Sequence, residues 1–204
     1  MRNMDGFSIV ELMIVVLLAA IILGLGAPSF ADFQRNNRLS GAANDLLGVI
    51  QTARGEAIKR QSFVSVCASS SPGSIAAACD TNSFLGYIAF NDLDGDCVRD
   101  DGELILRVGA KLDSPAGNPL NVISNGSCVS FAATGFVQDL PDFPMATQTL
   151  FCDNRGTRVD GASSVPDGPT LLYARGVGVS LTGRARVTRD RVEINGWAPR
   201  VACP

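Results

Sequence analysis

The sequence predicts an α+β fold: a long N-terminal helix, its first half transmembrane, packed through its second half on an antiparallel β-sheet domain. Three observations predict it. Residues 7–27 are apolar except for one charge, Glu11. Leu39, Ala43, Leu46, Ile50, Ala53 and Ala57 are spaced 4, 3, 4, 3, 4, which is one face of a helix. From Gln61 onward short β-branched runs alternate with turns rich in Gly, Pro and Asp, so strands follow helix and segregate from it.

The first element carries the most information. The 21 residues from Phe7 to Ala27 are long enough, as a helix, for the hydrocarbon core of a bilayer. A carboxylate inside such a span costs at least ~2.5–3.5 kcal/mol, so Glu11 needs a partner or a task. A secretory signal peptide has a shorter apolar core, of ~7–15 residues, and no reason to hold Glu11. A plain anchor explains the length and not the carboxylate. After Pro28 the helical pattern resumes. Arg35, Arg38, Asp45, Gln51, Arg54, Glu56, Lys59 and Arg60 supply its polar surface. The expected layout is residues 1–6 as leader, 7–28 as membrane helix, 29–60 as amphipathic helix and 61–204 as a β-rich domain.

In that domain strands are expected at 62–67, 84–90, 103–108, 121–124, 128–131, 147–152, 170–174, 177–181, 184–188 and 191–194. Pro115, Pro119, Pro141, Pro144, Pro166 and Pro169 punctuate the loops.

Composition excludes several functions. The 204-residue chain has no histidine, which removes Ser-His-Asp and Cys-His catalysis and histidine metal sites. No catalytic cluster stands out, so the expectation is a structural protein, not an enzyme, with no organic cofactor. The six cysteines (67, 79, 97, 128, 152 and 203) form no C-x-x-C pair. Scattered after a membrane anchor, they point to disulfides in an oxidising space. Fifteen pairings are open; the expected one joins neighbours, Cys67–Cys79, Cys97–Cys128 and Cys152–Cys203.

Two stretches carry candidate sites. From Asp92, acids fall at positions 1, 3, 5, 9 and 12 (Asp92, Asp94, Asp96, Asp100 and Glu103), as in a calcium loop. Cys97 stands where that loop has glycine, and the flanks read as strands rather than helices. An Asp/Gly-rich hairpin turn, needing no metal, fits the same residues. The second stretch is basic. Between Tyr173 and Arg200 lie Arg175, Arg184, Arg186, Arg189, Arg191 and Arg200, against Asp190 and Glu193, in a chain of net charge −3. A local arginine cluster on an acidic protein is a candidate anion site. In a strand Arg184 and Arg186 point the same way, and guanidinium forks suit phosphate oxygens. Contacts of that kind bind double-stranded DNA regardless of sequence and weaken with salt. Trp197 is a candidate for stacking on a base, although core packing explains it as well. Arginines on a solvated sheet edge, guarding against aggregation, are the alternative.

The N-terminal residues Gly6-Phe7-Ser8-Ile9-Val10-Glu11 resemble the processing site of type IV prepilins and type II secretion pseudopilins. The resemblance implies cleavage between Gly6 and Phe7 by a prepilin peptidase, N-methylation of Phe7, and Glu11 as the assembly carboxylate. Pro28 matches a proline at which pilin helices bend. Arg54-x-Glu56-Ala57-Ile58-x-Arg60, the Asp92–Glu103 run followed by Leu106-Arg107, and Gly183-Arg184-x-Arg186 resemble the GspH/FimT type of minor pilin. Gly-Arg-x-Arg resembles the C-terminal motif of minor pilins that bind DNA during natural transformation, which implies DNA contact by Gly183, Arg184 and Arg186, with Arg189 and Arg191 extending the patch. Other pilin subunits and the inner membrane are the further partners implied. The implied location is a single-pass inner-membrane protein with its domain in the periplasm, moving into a pilus or pseudopilus on assembly. The alternative is a type II secretion minor pseudopilin acting in protein export.

Overall fold

The computed structural model describes residues 8–80, 85–109, 112, 120–139, 147–157, 171–197 and 203, the side chains of 25–28 excepted. Gly6, Phe7, the six loop prolines and Arg200 lie outside these residues. Helix α1 spans Ile9–Arg60. The chain forms two compact units, one ending at Arg38 and the other beginning at Leu39.

The first unit is helical, and its large apolar side chains from Ile9 to Leu23 are exposed, with Glu11 among them. Asp32 and Arg35 pair at 3.5 Å one turn apart. Among the described residues no single helix is long and apolar enough to cross a membrane. Ile9–Gly24 and Ser29–Arg60 pass that test together, as a bent pair, by length and composition only.

The second unit is the β domain with the rest of α1. Strands β1 (Phe63–Ser69), β2 (Gly86–Asp92), β3 (Ile105–Val108) and β5 (Cys128–Phe131) form one antiparallel sheet in the order β3-β2-β1-β5. Strands β4 (Asn121–Ser124), β6 (Gln148–Cys152), β7 (Leu171–Val179) and β8 (Ala185–Asp190) form a second, in the order β4-β6-β7-β8. The helical face expected from spacing is the buried one: Leu39, Ala43, Leu46, Ile50, Ala53 and Ala57, joined by Val49, are each at most 3% exposed. It packs against both sheets, meeting Val64, Val66, Tyr87, Ala89, Val129 and Phe131 from the first and Phe151, Val177 and Val179 from the second. Alternate residues of the same strands point the other way. Cys67, Ile88, Phe90 and Cys128 form a cluster with Ala77 and Cys97. Leu150, Cys152, Leu172 and Ala174 form another with Ile194 and Trp197. Both faces of each sheet are therefore covered, which is why the central strands carry apolar side chains on both sides.

Disulfides tie the outer layers down, in the neighbour-to-neighbour pairing: Cys67–Cys79, Cys97–Cys128 and Cys152–Cys203. Arg107, on edge strand β3, donates to Thr52 Oγ1 at 2.8 Å and the Gly48 carbonyl at 3.2 Å, which pins the sheet edge to α1.

Three expected strands differ. The strands expected at 170–174 and 177–181 are one strand, β7, broken in register: Leu171 faces Asp190, and the next pairing is Gly176 with Thr188. The strand expected at 191–194 is a short helix, α2 (Arg191–Asn195). Asp190 caps it, its Oδ1 accepting from the amides of Val192 (2.7 Å) and Glu193 (3.2 Å). Those donors would be orphaned without the cap, and the cap decides helix over strand.

Candidate nucleic-acid interface

The site is built on the turn from β7 to β8. Ser180 N donates to the Arg184 carbonyl (2.9 Å) and Gly183 N to the Ser180 carbonyl (2.8 Å), closing a tight loop. Gly183 has φ +76°, and a Cβ there would lie 2.0 Å from the Gly135 carbonyl oxygen. Only glycine satisfies both the left-handed backbone and this approach. The turn is thereby seated against residues 132–137: Val137 N donates to the Leu181 carbonyl at 3.0 Å. From α1, Arg54 Nε donates to the Gly135 carbonyl at 3.0 Å.

With Gly183 seated, Arg184 is held outward and is exposed. Among the described residues it has no ion-pair partner. Arg186, two residues on, shows 71% of its side chain and pairs with Glu193 Oε1 at 2.7 Å. Arg184 and Arg186 line one open cavity of about 530 Å³ with Thr147, Gln148, Glu193 and Trp197. Arg191 is exposed as the first residue of α2.

The other arginines of the cluster sit differently. The register break in β7 takes the carbonyls of Leu172, Tyr173 and Ala174 out of the ladder with β8. Arg175, buried, answers them with Nη1, at 2.6 Å from the Tyr173 oxygen, and its Nε donates to Ser40 Oγ on α1 at 3.1 Å. Arg189 Nε donates to the Leu172 carbonyl at 3.0 Å. Buried carbonyls require donors, and two guanidiniums supply them here. Trp197 is 8% exposed. A Cβ on Gly176 would lie 2.4 Å from its ring, so the indole lies across the glycines of β7 as core packing. Its base-stacking role is set aside.

The acidic loop gathers three of its five carboxylates. Oxygens of Asp92, Asp94 and Asp96 lie within 4.8 Å of one another. Asp92 is fully buried; its Oδ1 accepts from Gly95 N (2.7 Å) and Asp96 N (3.2 Å), and its Oδ2 from Cys97 N (3.0 Å) and Ser65 Oγ. Burial pushes the Asp92 carboxyl above its ordinary value, against the pull of those hydrogen bonds, and the charge of Glu103 adds to the rise. Glu103 turns both oxygens to loop amides, Leu93 N (2.7 Å) and Asp100 N (3.0 Å). Cys97, in place of the calcium-loop glycine, holds φ +64° and is bonded to Cys128. At the other end of the chain Glu11 is exposed in the first turn of α1.

Residues 42–183 match the family described as Type II transport protein GspH. The chain belongs to the GspH family, and so to the minor pilins and pseudopilins of type IV pilus and type II secretion systems, which are structural subunits that associate with other pilins. Among solved structures it is similar to the type IV minor pilin FimU of Pseudomonas aeruginosa in two crystal forms. One has 21% identity and a TM-score of 0.44 over 76% of this chain and 92% of that one. The other has 18% identity and a TM-score of 0.41 over 73% and 91%. No curated protein matches the chain.

Proposed function

We propose that this chain is a minor type IV pilin that binds DNA through the β7–β8 turn. The observation that supports the reading is Arg184: exposed, without a carboxylate partner among the described residues, and lining one cavity with Arg186. Gly183 serves the fold and the arginines are left to the ligand. The described hydrogen bonds of Arg184 use its backbone, leaving its guanidinium fork to match phosphate oxygens. Residues 1–6 act as the leader, cleavage falls between Gly6 and Phe7, residues 7–28 anchor the chain in the inner membrane, and Glu11 guides the subunit into the filament. The 61–204 region then faces the periplasm.

The test is titration of the full chain in detergent with duplex DNA at two salt concentrations, beside Arg184→Ala/Arg186→Ala. Salt-weakened binding by the wild type, lost in the variant, supports the reading. Absence of wild-type binding at low salt overturns it. A second reading follows from the family's description as a type II transport protein: a pseudopilin of protein export. It predicts that deleting the gene stops secretion and leaves DNA uptake intact.

The acidic loop is proposed as a calcium site through Asp92, Asp94 and Asp96, the three carboxylates whose oxygens lie together. Calorimetry with calcium alone decides it.

A further inference from the structure

The turn that presents Arg184 has a second side. Ile58 on α1, Phe136 after β5 and Leu181 after β7 are 44%, 53% and 67% exposed. They surround a single contact. A Cβ on Gly135 would lie 2.7 Å from Ile58 Cδ1, Gly135 meets Gly183, and Val137 is bonded to Leu181. Phe136 stands between those last two attachments. Three segments from distant parts of the sequence, each carrying an exposed large apolar side chain, are thus joined here.

Cations border this place. Arg54 and Arg184 line an open groove of about 470 Å³ with Gln51, Gly55 and Ile58. Arg54 spends its Nε on the Gly135 carbonyl, which fixes the guanidinium beside Gly183; among the described residues it has no ion pair. Arg184 lines both this groove and the cavity shared with Arg186. One path along the surface therefore offers guanidinium, guanidinium, guanidinium, and the exposed Phe136 follows directly on Gly135, whose carbonyl holds Arg54.

We infer that Arg54 and Phe136 complete the DNA site and make it a platform for single-stranded DNA: Arg54 holds a backbone phosphate and Phe136 stacks on an unpaired base. The inference rests on the DNA reading above. Charge complementarity selects a polyanion. The exposed apolar ring selects a ligand that also shows flat π-faces, which a duplex hides in its stack and a single strand presents. Trp197 is buried, so Phe136 is the exposed aromatic of the site among the described residues.

The experiment is fluorescence anisotropy on the full chain in detergent, with a labelled single strand and a labelled duplex of equal length at one salt concentration. The wild type binds the single strand more tightly. Phe136→Ala weakens single-strand binding about tenfold, leaves duplex binding unchanged, and is rescued by Phe136→Tyr. Arg54→Gln weakens both and lowers the salt slope by about one. Circular dichroism confirms that each variant folds. Equal wild-type affinity for both forms, or Phe136→Ala binding like wild type, overturns the platform; if Arg184→Ala/Arg186→Ala still abolishes binding, the DNA reading stands without it. A Phe136→Ala defect confined to filament assembly makes the patch a subunit contact and also overturns the inference. No binding of either DNA by the wild type removes both.

Discussion

The arginines after Tyr173 fall into two groups that composition cannot separate. Arg175 and Arg189 turn inward to the carbonyls freed by the β7 register break. Arg184 and Arg186 turn outward over an open cavity. Charge was legible in the sequence and its use was not, because use depends on where the backbone leaves acceptors unpaired. The lesson is that a count of basic residues overstates a binding patch by the number already engaged in the fold.

Substitutions break or sharpen this contrast. The largest effect is expected from Arg175→Ala, which strips donors from buried carbonyls and unties β7 from Ser40. Chemical denaturation should show a loss of about 3 kcal/mol. Gly183→Ala comes next. It forces a left-handed alanine against the Gly135 oxygen, and about 2 kcal/mol should be lost in the same measurement, with DNA affinity falling as the turn lifts. Arg184→Ala should change stability by less than about 0.5 kcal/mol, since it touches nothing the fold needs, while lowering DNA affinity. A result of the opposite kind, with stability lost and binding kept, would merge the two groups. Glu193→Gln is the finest probe. It frees Arg186 from its paired carboxylate and should raise DNA affinity a few-fold, read by anisotropy, without moving the melting temperature much.

Asp92 gives the pH counterpart. Its folded carboxyl sits above the ordinary value, so the folded state takes up that proton more readily than the unfolded chain. Its contribution is therefore greatest below the ordinary carboxylate range and is lost as pH rises through the raised value. Denaturation of Asp92→Asn beside wild type across that range should show the slope removed. A net loss at neutral pH should remain, because an amide nitrogen cannot accept from Cys97 N.

Much of the fold could be read directly. The 4-3-4-3-4 spacing marked the buried face of α1, and the strands at 121–124 and 128–131 stand where alternation put them. β7 was expected as two strands, 170–174 and 177–181; it is one strand with a register break whose freed carbonyls arginines answer, a long-range effect. Helix α2 was missed although its signal was present: Asp190 followed by Glu193 is the spacing of a capping box. At the site, Gly183, Arg184 and Arg186 were legible as a motif. Arg54 and Phe136 were not, since they stand 129 and 47 positions before Gly183 and reach its neighbourhood only after the sheets assemble.

All three disulfides lie on the faces turned away from α1. The helical face from Leu39 to Ala57 carries none, and the chain reaches the first sheet from Arg60 through a left-handed Gln61. A pull transmitted through the helix is consequently resisted on that side by packing and hydrogen bonds alone, while the layers behind are cross-linked. Under tension the helix would peel before the sheets open, and a reductant would narrow that difference by removing the cross-links behind the sheets.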